Sequence, residues 1–347
     1  MKKIFTAAAL SLCSVFILTG CLEKKSGSAD SRKQILLCTN FPQYDWLKEL
    51  TKEEDGSPSK KFSLDFLQTS DRDIHNFQPG AEDLLKIARS TLFVYNGGES
   101  DLWVKDILAS VNRKKLQTVN LVESLDSKIL MKEEVEGARN PEEPQTPADD
   151  DPGDGPLNEP MEEQENLVEQ TVDEHIWLSL SNASYLCKKL ARTLTQLDPD
   201  NEDLYLKNAE EYCQKLEELD NEYAQFFFDK NNRVMLFADR FPFRYFTSAY
   251  AIKPYAAFSS CHTESAANYG TVITLSEFLV QDNLNVVYKM EGTPDTIARS
   301  VADSSKRKDI AIRELDSLHT ITQERMDLGE TYLSVMKKNL QVIKGNL

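Results

Sequence analysis

Histidine is scarce in this chain, with four among 347 residues. No His-Glu-x-x-His pair occurs, so the usual helical arrangement of a zinc hydrolase is missing. Cations are also in short supply. The 40 Lys and Arg face 57 Asp and Glu, a net charge of −17, which excludes a surface built to neutralise phosphates and therefore no nucleic-acid partner is expected. Long apolar runs are lacking as well. The run Ile4–Leu18 is too short to serve comfortably as a permanent membrane helix.

What is present at the start reads as an export segment. Met1-Lys2-Lys3 supplies charge, the apolar run follows, and Leu18-Thr19-Gly20-Cys21 closes it in a pattern that resembles a bacterial lipobox. This predicts a signal peptide over 1–20 and a lipidated Cys21, with residues 21–33 as a polar tether. The expected location is outside the cytoplasm, lipid-anchored to a membrane, on the periplasmic side or the cell surface. Of the remaining cysteines, Cys38, Cys187 and Cys213 fall in apolar strand or helix patterns and read as core residues, with a Cys187–Cys213 disulfide as the alternative.

About 300 residues follow the tether, enough for two lobes. Apolar runs of strand length recur at 35–39, 62–67, 91–95 and 118–122, then again at 234–238, 255–259, 286–290 and 310–315, with helical patterns between them. The fold class expected is α/β: two lobes, each a mostly parallel four-stranded sheet flanked by helices, joined by one long rigid helix. The expected boundaries are 34–198 for the N-terminal lobe, 199–230 for the linking helix and 231–347 for the C-terminal lobe. Residues 132–170 hold six of the thirteen prolines, many Asp and Glu and few aliphatics, so they read as a disordered acidic insertion in the first lobe.

In open α/β sheets, ligands bind beyond the carboxyl ends of the strands, so the residues just after each strand matter most. His75 lies in Asp73-Ile74-His75-Asn76-Phe77-Gln78-Pro79, before a helix. His175 lies in Asp173-Glu174-His175-Ile176-Trp177, where the acidic segment ends. A single histidine is more often structural than a ligand. Two at loop-to-helix junctions beside carboxylates suggest a metal site, because a carboxylate fixes the imidazole tautomer and raises its basicity.

These two segments, with the glycine turn Asn96-Gly97-Gly98-Glu99-Ser100-Asp101 between them and Thr331-Tyr332-Leu333-Ser334-Val335-Met336 near the end, resemble the metal-binding lipoproteins of ABC importers that take up zinc and manganese. The resemblance covers nearly everything from Gln34 onward. It implies that His75 and His175 are the N-lobe ligands, that zinc, or alternatively manganese, is the ion, and that an ABC permease and its ATPase are partners. It also implies that lobe motion is small. Nothing in the sequence demands more than a monomer, and no enzyme activity is expected.

The C-lobe departs from the family pattern. Arg240 stands near the position where the family places His or Glu, and a guanidinium cannot bind a metal. The candidates left are Cys261 and His262, Glu291, Asp239 and Asp316, the last where manganese-type members carry an Asp ligand. Two imidazoles with Cys261 or His262 favour zinc. Glu291 is alternatively a counter-charge to Arg240 or Arg244, and His319 reads as structural or surface. The acidic insertion contains no histidine, unlike the His-rich insertion of many zinc members, and reads as a loose carboxylate site or a spacer. Two other functions are compatible with parts of the chain: a surface adhesin active in cell adhesion, and a zinc hydrolase with an open water position.

Overall fold

The computed structural model describes residues 33–68, 74–111, 116–138, 171–259, 261 and 268–346. The expected signal peptide, Cys21, His262 and positions 139–170 of the acidic segment lie outside the described residues.

The first lobe runs β1 (Gln34–Cys38), α1 (Phe41–Thr51), β2 (Phe62–Phe66), α2 (Ala81–Arg89), β3 (Leu92–Tyr95), α3 (Trp103–Ser110), β4 (Gln117–Asn120) and α4 (Leu121–Ser124). Its four strands are all parallel in the order β2-β1-β3-β4. Then come α5 (Leu180–Leu197) and α6 (Glu202–Phe228). The second lobe runs β5 (Val234–Phe237), α7 (Arg244–Ala249), β6 (Lys253–Ala256), α8 (Tyr269–Gln281), β7 (Val286–Met290), α9 (Thr296–Ser304), β8 (Ala311–Leu315), α10 (Gln323–Asp327) and α11 (Tyr332–Lys344). Its sheet repeats the first, with parallel strands in the order β6-β5-β7-β8. Both central pairs read as continuous apolar runs because helices cover both faces of each sheet. Most strand bounds fall within a residue of expectation, and the larger departures are at β4 and β6. The run Thr118–Val122 breaks at Asn120, whose side chain caps α4 by accepting from Glu123 N. The edge strand β6 begins two residues earlier, at Lys253.

Helix starts are fixed locally. Asn40 accepts from Gln43 N, Ser179 from Asn182 N and Asn268 from Thr271 N, each satisfying an otherwise open first-turn donor. Pro199 separates α5 from α6, whose 27 residues span about 40 Å at 1.5 Å each. This is the long helix expected between the lobes, but it does not join them alone. One apolar core runs from Leu36, Trp46 and Leu92 of the first lobe through Tyr205 and Leu216 of α6 to Phe237, Tyr288 and Val335 of the second. The start of α11 is fastened to α1 as well: Tyr332 N donates to Asp45 Oδ2 at 2.8 Å, and the Tyr332 and Trp46 rings meet edge to face at 5.3 Å.

Cys38, Cys187 and Cys213 are buried in this core as free thiols, so the alternative of a Cys187–Cys213 disulfide is not realised.

Candidate metal centre

The first half of the site is built on the glycine turn. Gly97 and Gly98 follow β3 with φ of +85° and +81°, values that suit glycine. A Cβ on Gly98 would stand 2.7 Å from Glu174 Oε2, so the turn makes room for that carboxylate. Asn96 Nδ2 donates to Glu174 O at 2.7 Å, and Ser100 donates to its carboxylate from both N (2.8 Å) and Oγ (2.5 Å). Glu174 is thereby held where His75 Nδ1 meets Oε1 at 3.0 Å. A hydrogen on His75 Nδ1 directed at the carboxylate leaves the Nε2 lone pair open.

His175 repeats the device two residues from its own carboxylate. Asp173 Oδ1 accepts from His175 N and lies 2.9 Å from His175 Nδ1. Tyr245 Oη donates to Asp173 O at 3.0 Å, and Arg244 Nε stands 3.8 Å from Asp173 Oδ2, so the second lobe steadies this imidazole from outside. The two Nε2 atoms are 3.4 Å apart. Two nitrogens on one tetrahedral zinc, at about 2.0–2.1 Å each, stand roughly 3.3–3.4 Å from each other.

The second lobe adds Cys261, in the connection after β6, and His319, after β8. One donor atom from each of His75, His175, Cys261 and His319 lies within 4.8 Å of all the others. The His319 ring centroid is 5.0 Å from that of His75 and 4.9 Å from that of His175. His175, Cys261 and His319 are buried. Burial alone would push both imidazoles toward neutrality, but hydrogen bonds to Cys261 and Glu174 at His75, and the Asp173 and Cys261 charges at His175, outweigh it and raise both. Burial likewise opposes a Cys261 thiolate, yet the His175 charge and hydrogen bonds to both rings lower its pKa. Glu174 is brought down to about 2: burial works against the carboxylate, and the His75 hydrogen bond with the charges of both rings overrides it. Three imidazoles and a thiol suit zinc, which takes nitrogen and sulfur ligands tetrahedrally, better than manganese, which favours oxygen.

Of the residues singled out from sequence, His75, His175 and Cys261 are brought together. His262 lies outside the described residues. Glu291 is not in the cluster; its Oε2 and Oε1 accept from Ser317 N and Oγ, both at 2.7 Å. Nor does it pair with Arg240 or Arg244 in those contacts, because the carboxylate faces the turn after β8. Asp239 accepts from Met290 N at 3.1 Å and from Thr293 Oγ1, and Asp316 pairs with Arg325. The reading of His319 as structural or surface is corrected, since the ring is buried and faces the other three donors. Its turn is built from a distance: Asp316 Oδ1 accepts from Leu318 N, Leu318 adopts φ +59°, Asn339 brackets Asp316, and Ser317 O takes the Trp177 indole. One signal could have found it, because His319 sits just beyond the carboxyl end of a strand, as the other candidates do.

Comparison with known proteins agrees with this architecture. Residues 37–346 match the model of the family described as zinc-uptake complex component A, periplasmic (ZnuA). The chain is 27% identical over 346 residues to the zinc-binding lipoprotein AdcA of Streptococcus pneumoniae, covering 99% of this chain and 61% of that protein. It is 27% identical over 342 residues to the high-affinity zinc uptake system protein ZnuA of Bacillus subtilis, covering 97% and 96%. Among solved structures, the metal-dependent lipoprotein YcdH of Bacillus subtilis superposes with a TM-score of 0.69 at 22% identity, covering 91% of this chain and 99% of that one. The laminin-binding protein Lmb of Streptococcus agalactiae, described as bifunctional with adhesin and metal-transporting activity, superposes at 0.68 with 19% identity, covering 91% and 99%, a likeness of fold. With two parallel four-stranded sheets facing a shared cluster of imidazoles and a thiol, and a family match over nearly its whole described length, the chain belongs to the ZnuA family of zinc-uptake components.

Proposed function

We propose that this chain is the extracytoplasmic receptor of a zinc importer: it captures one zinc ion between its lobes with His75, His175, Cys261 and His319 and delivers it to an ABC permease driven by its ATPase. The observation that carries the reading is the pair of Nε2 atoms 3.4 Å apart, each ring turned by a carboxylate, with a thiol and a third imidazole closing over them. No helix among the described residues is long and apolar enough to cross a membrane, and attachment through a lipid on Cys21 supplies the membrane contact in this reading. The lobes are 34–198 and 231–347, joined by 199–230, and the receptor acts as a monomer.

The ions that bind such a set differ in softness. Thiolate and imidazole hold zinc well and manganese poorly, so zinc is the cargo. The test is the metal content of the purified chain and its zinc affinity in competition with a chromophoric chelator. One zinc per chain is expected, with weakened binding in His75→Ala, His175→Ala, Cys261→Ser and His319→Ala. A chain without stoichiometric zinc, or one in which all four variants bind as the parent does, overturns the proposal.

A further inference from the structure

Cys261 is an unusual place from which to hold a metal. It stands in the long connection between β6 and α8, away from any regular element, whereas His175 and His319 have turns built around them. A thiol outside any helix or strand contributes to retention only as far as its backbone is held, because the entropy of ordering that backbone opposes every bond it makes. Yet its Sγ lies with the three imidazoles.

Two features order it. Arg240 Nη1 donates to the Cys261 carbonyl at 3.3 Å. The arginine is itself rooted: Asp239 Oδ1 accepts from Arg240 N at 2.8 Å, while Asp239 Oδ2 takes Met290 N and Thr293 Oγ1 at the end of β7. The second feature is the strap formed by residues 130–138. It leaves the first lobe paired with the segment that leads into His175, through the Met131–Val172 bridge, Lys132 N to Thr171 O and Asp173 N to Leu130 O. It then crosses to the second lobe and extends the open edge of β6, where Ala256 N donates to Glu136 O and Val135 N to Ser259 Oγ, two residues before Cys261. Gly137 ends the crossing with φ +100°. A Cβ there would lie 2.7 Å from Leu275 Cδ2 and 3.2 Å from the Ala256 carbonyl.

We propose that Arg240 and the 130–138 strap are positioning elements for Cys261, so that how long this receptor keeps its zinc is set by groups that never touch the ion. Arg240 occupies the place where the resemblance puts a ligand, and here it holds the backbone of the substitute ligand instead. The strap gives His175 and Cys261, 86 positions apart in the numbering, a single hydrogen-bonded connection, so displacement of one is felt at the other. The inference rests on Cys261 being a ligand.

The test replaces zinc by Co(II) in the full chain and follows the sulfur-to-cobalt absorption together with the rate at which bound zinc passes to an excess of chelator, in Arg240→Met, Arg240→Lys and Gly137→Ala. The metal-free melting temperature of each variant reports folding. Positioning groups of this kind are worth about 10- to 100-fold, so Arg240→Met and Gly137→Ala are expected to speed zinc escape by that factor and to weaken the sulfur–cobalt band. Arg240→Lys, which keeps a donor on a shorter and less directional head, falls between. A parental band and parental escape rate in folded Arg240→Met and Gly137→Ala overturn the positioning roles. If instead the parent shows no sulfur–cobalt band, or Cys261→Ser leaves it intact, the ligand assignment fails and the positioning proposal fails with it.

Discussion

At the scale of single residues, the site depends as much on its carboxylates as on its donors. Glu174 and Asp173 each aim one imidazole by taking a hydrogen from Nδ1, and neither is in the donor cluster itself. Asp173→Asn and Glu174→Gln are therefore expected to weaken zinc binding about 10- to 100-fold with one zinc still bound per chain, measured by chelator competition; unchanged affinity would assign the aim of the rings to packing alone. Gly98→Ala acts on the same carboxylate from behind. Its Cβ would meet Glu174 Oε2 and Cβ at 2.7 and 2.8 Å, so the loss should resemble that of Glu174→Gln and add a fall in stability from the positive φ. Equal melting temperatures for parent and Gly98→Ala would count against that crowding.

The same scale explains what the sequence could and could not disclose. His75 and His175 are legible because each stands at a loop-to-helix junction in a short motif; Asp173 and Glu174 directly precede His175, although Glu174 serves His75, 99 positions away. Cys261 was legible from its place after a strand. His319 carried only that same signal, and its inward turn was hidden because the groups that fold it, Glu291, Asn339 and Trp177, are brought to it by three different elements. Glu291 was singled out for the right neighbourhood and the wrong task. A carboxylate after β7 can face the ion or the next loop, and here it takes the Ser317 amide and hydroxyl.

At the scale of elements, the alternation of strands and helices was readable because all-parallel strands are apolar throughout, so each stands out as a run. Edges were less legible. β6 starts at Lys253-Pro254, residues that suit an edge strand and blur its apolar signal, and the Asn120 cap turns the end of an apolar run into α4. The junction of α1 with α11 was not legible at all, since it joins Asp45 to Tyr332 across 287 positions. Asp45 is buried with Oδ1 lacking a hydrogen-bond partner, and burial raises its pKa to about 6, although the Tyr332 amide pulls the other way. The raised value means that the folded chain holds this proton more tightly than the unfolded one. Stability from this group is thus fully present below pH about 4 and declines as pH rises to about 6, by about 3 kcal/mol in total. Asp45→Asn keeps an acceptor for Tyr332 N without the buried charge. Urea unfolding of the metal-free proteins should find the variant gaining on the parent between pH 4 and pH 7; a constant difference across that interval would show that Asp45 does not titrate there.

At the scale of the whole molecule, the continuous core, α6 and the α1–α11 junction make the two sheets one mechanical body. Hinge motion would have to pull apart Trp46, Trp177 and Tyr332, which meet across the lobes and are nearly inaccessible to solvent, and burial of each such side chain is worth about 2 kcal/mol or more. Zinc should consequently leave the radius of gyration in solution scattering unchanged within error, while slowing amide hydrogen exchange in the turns that bear His175 and His319. A clear contraction on zinc binding would overturn the single-body view.

That stiffness changes what a partner can read. A receptor that closes like a jaw announces its cargo by its outline, and anything gripping both halves senses the difference as a distance. If the two halves keep their spacing whether or not the cluster is filled, outline carries no message. The information would then be written in the texture of the surface: whether the turns bearing His175 and His319 and the strap along β6 lie still or fluctuate. A transporter partner of this protein would therefore distinguish full from empty by the order of a few loops, and a substitution that quiets those loops in the empty protein would make it a convincing impostor.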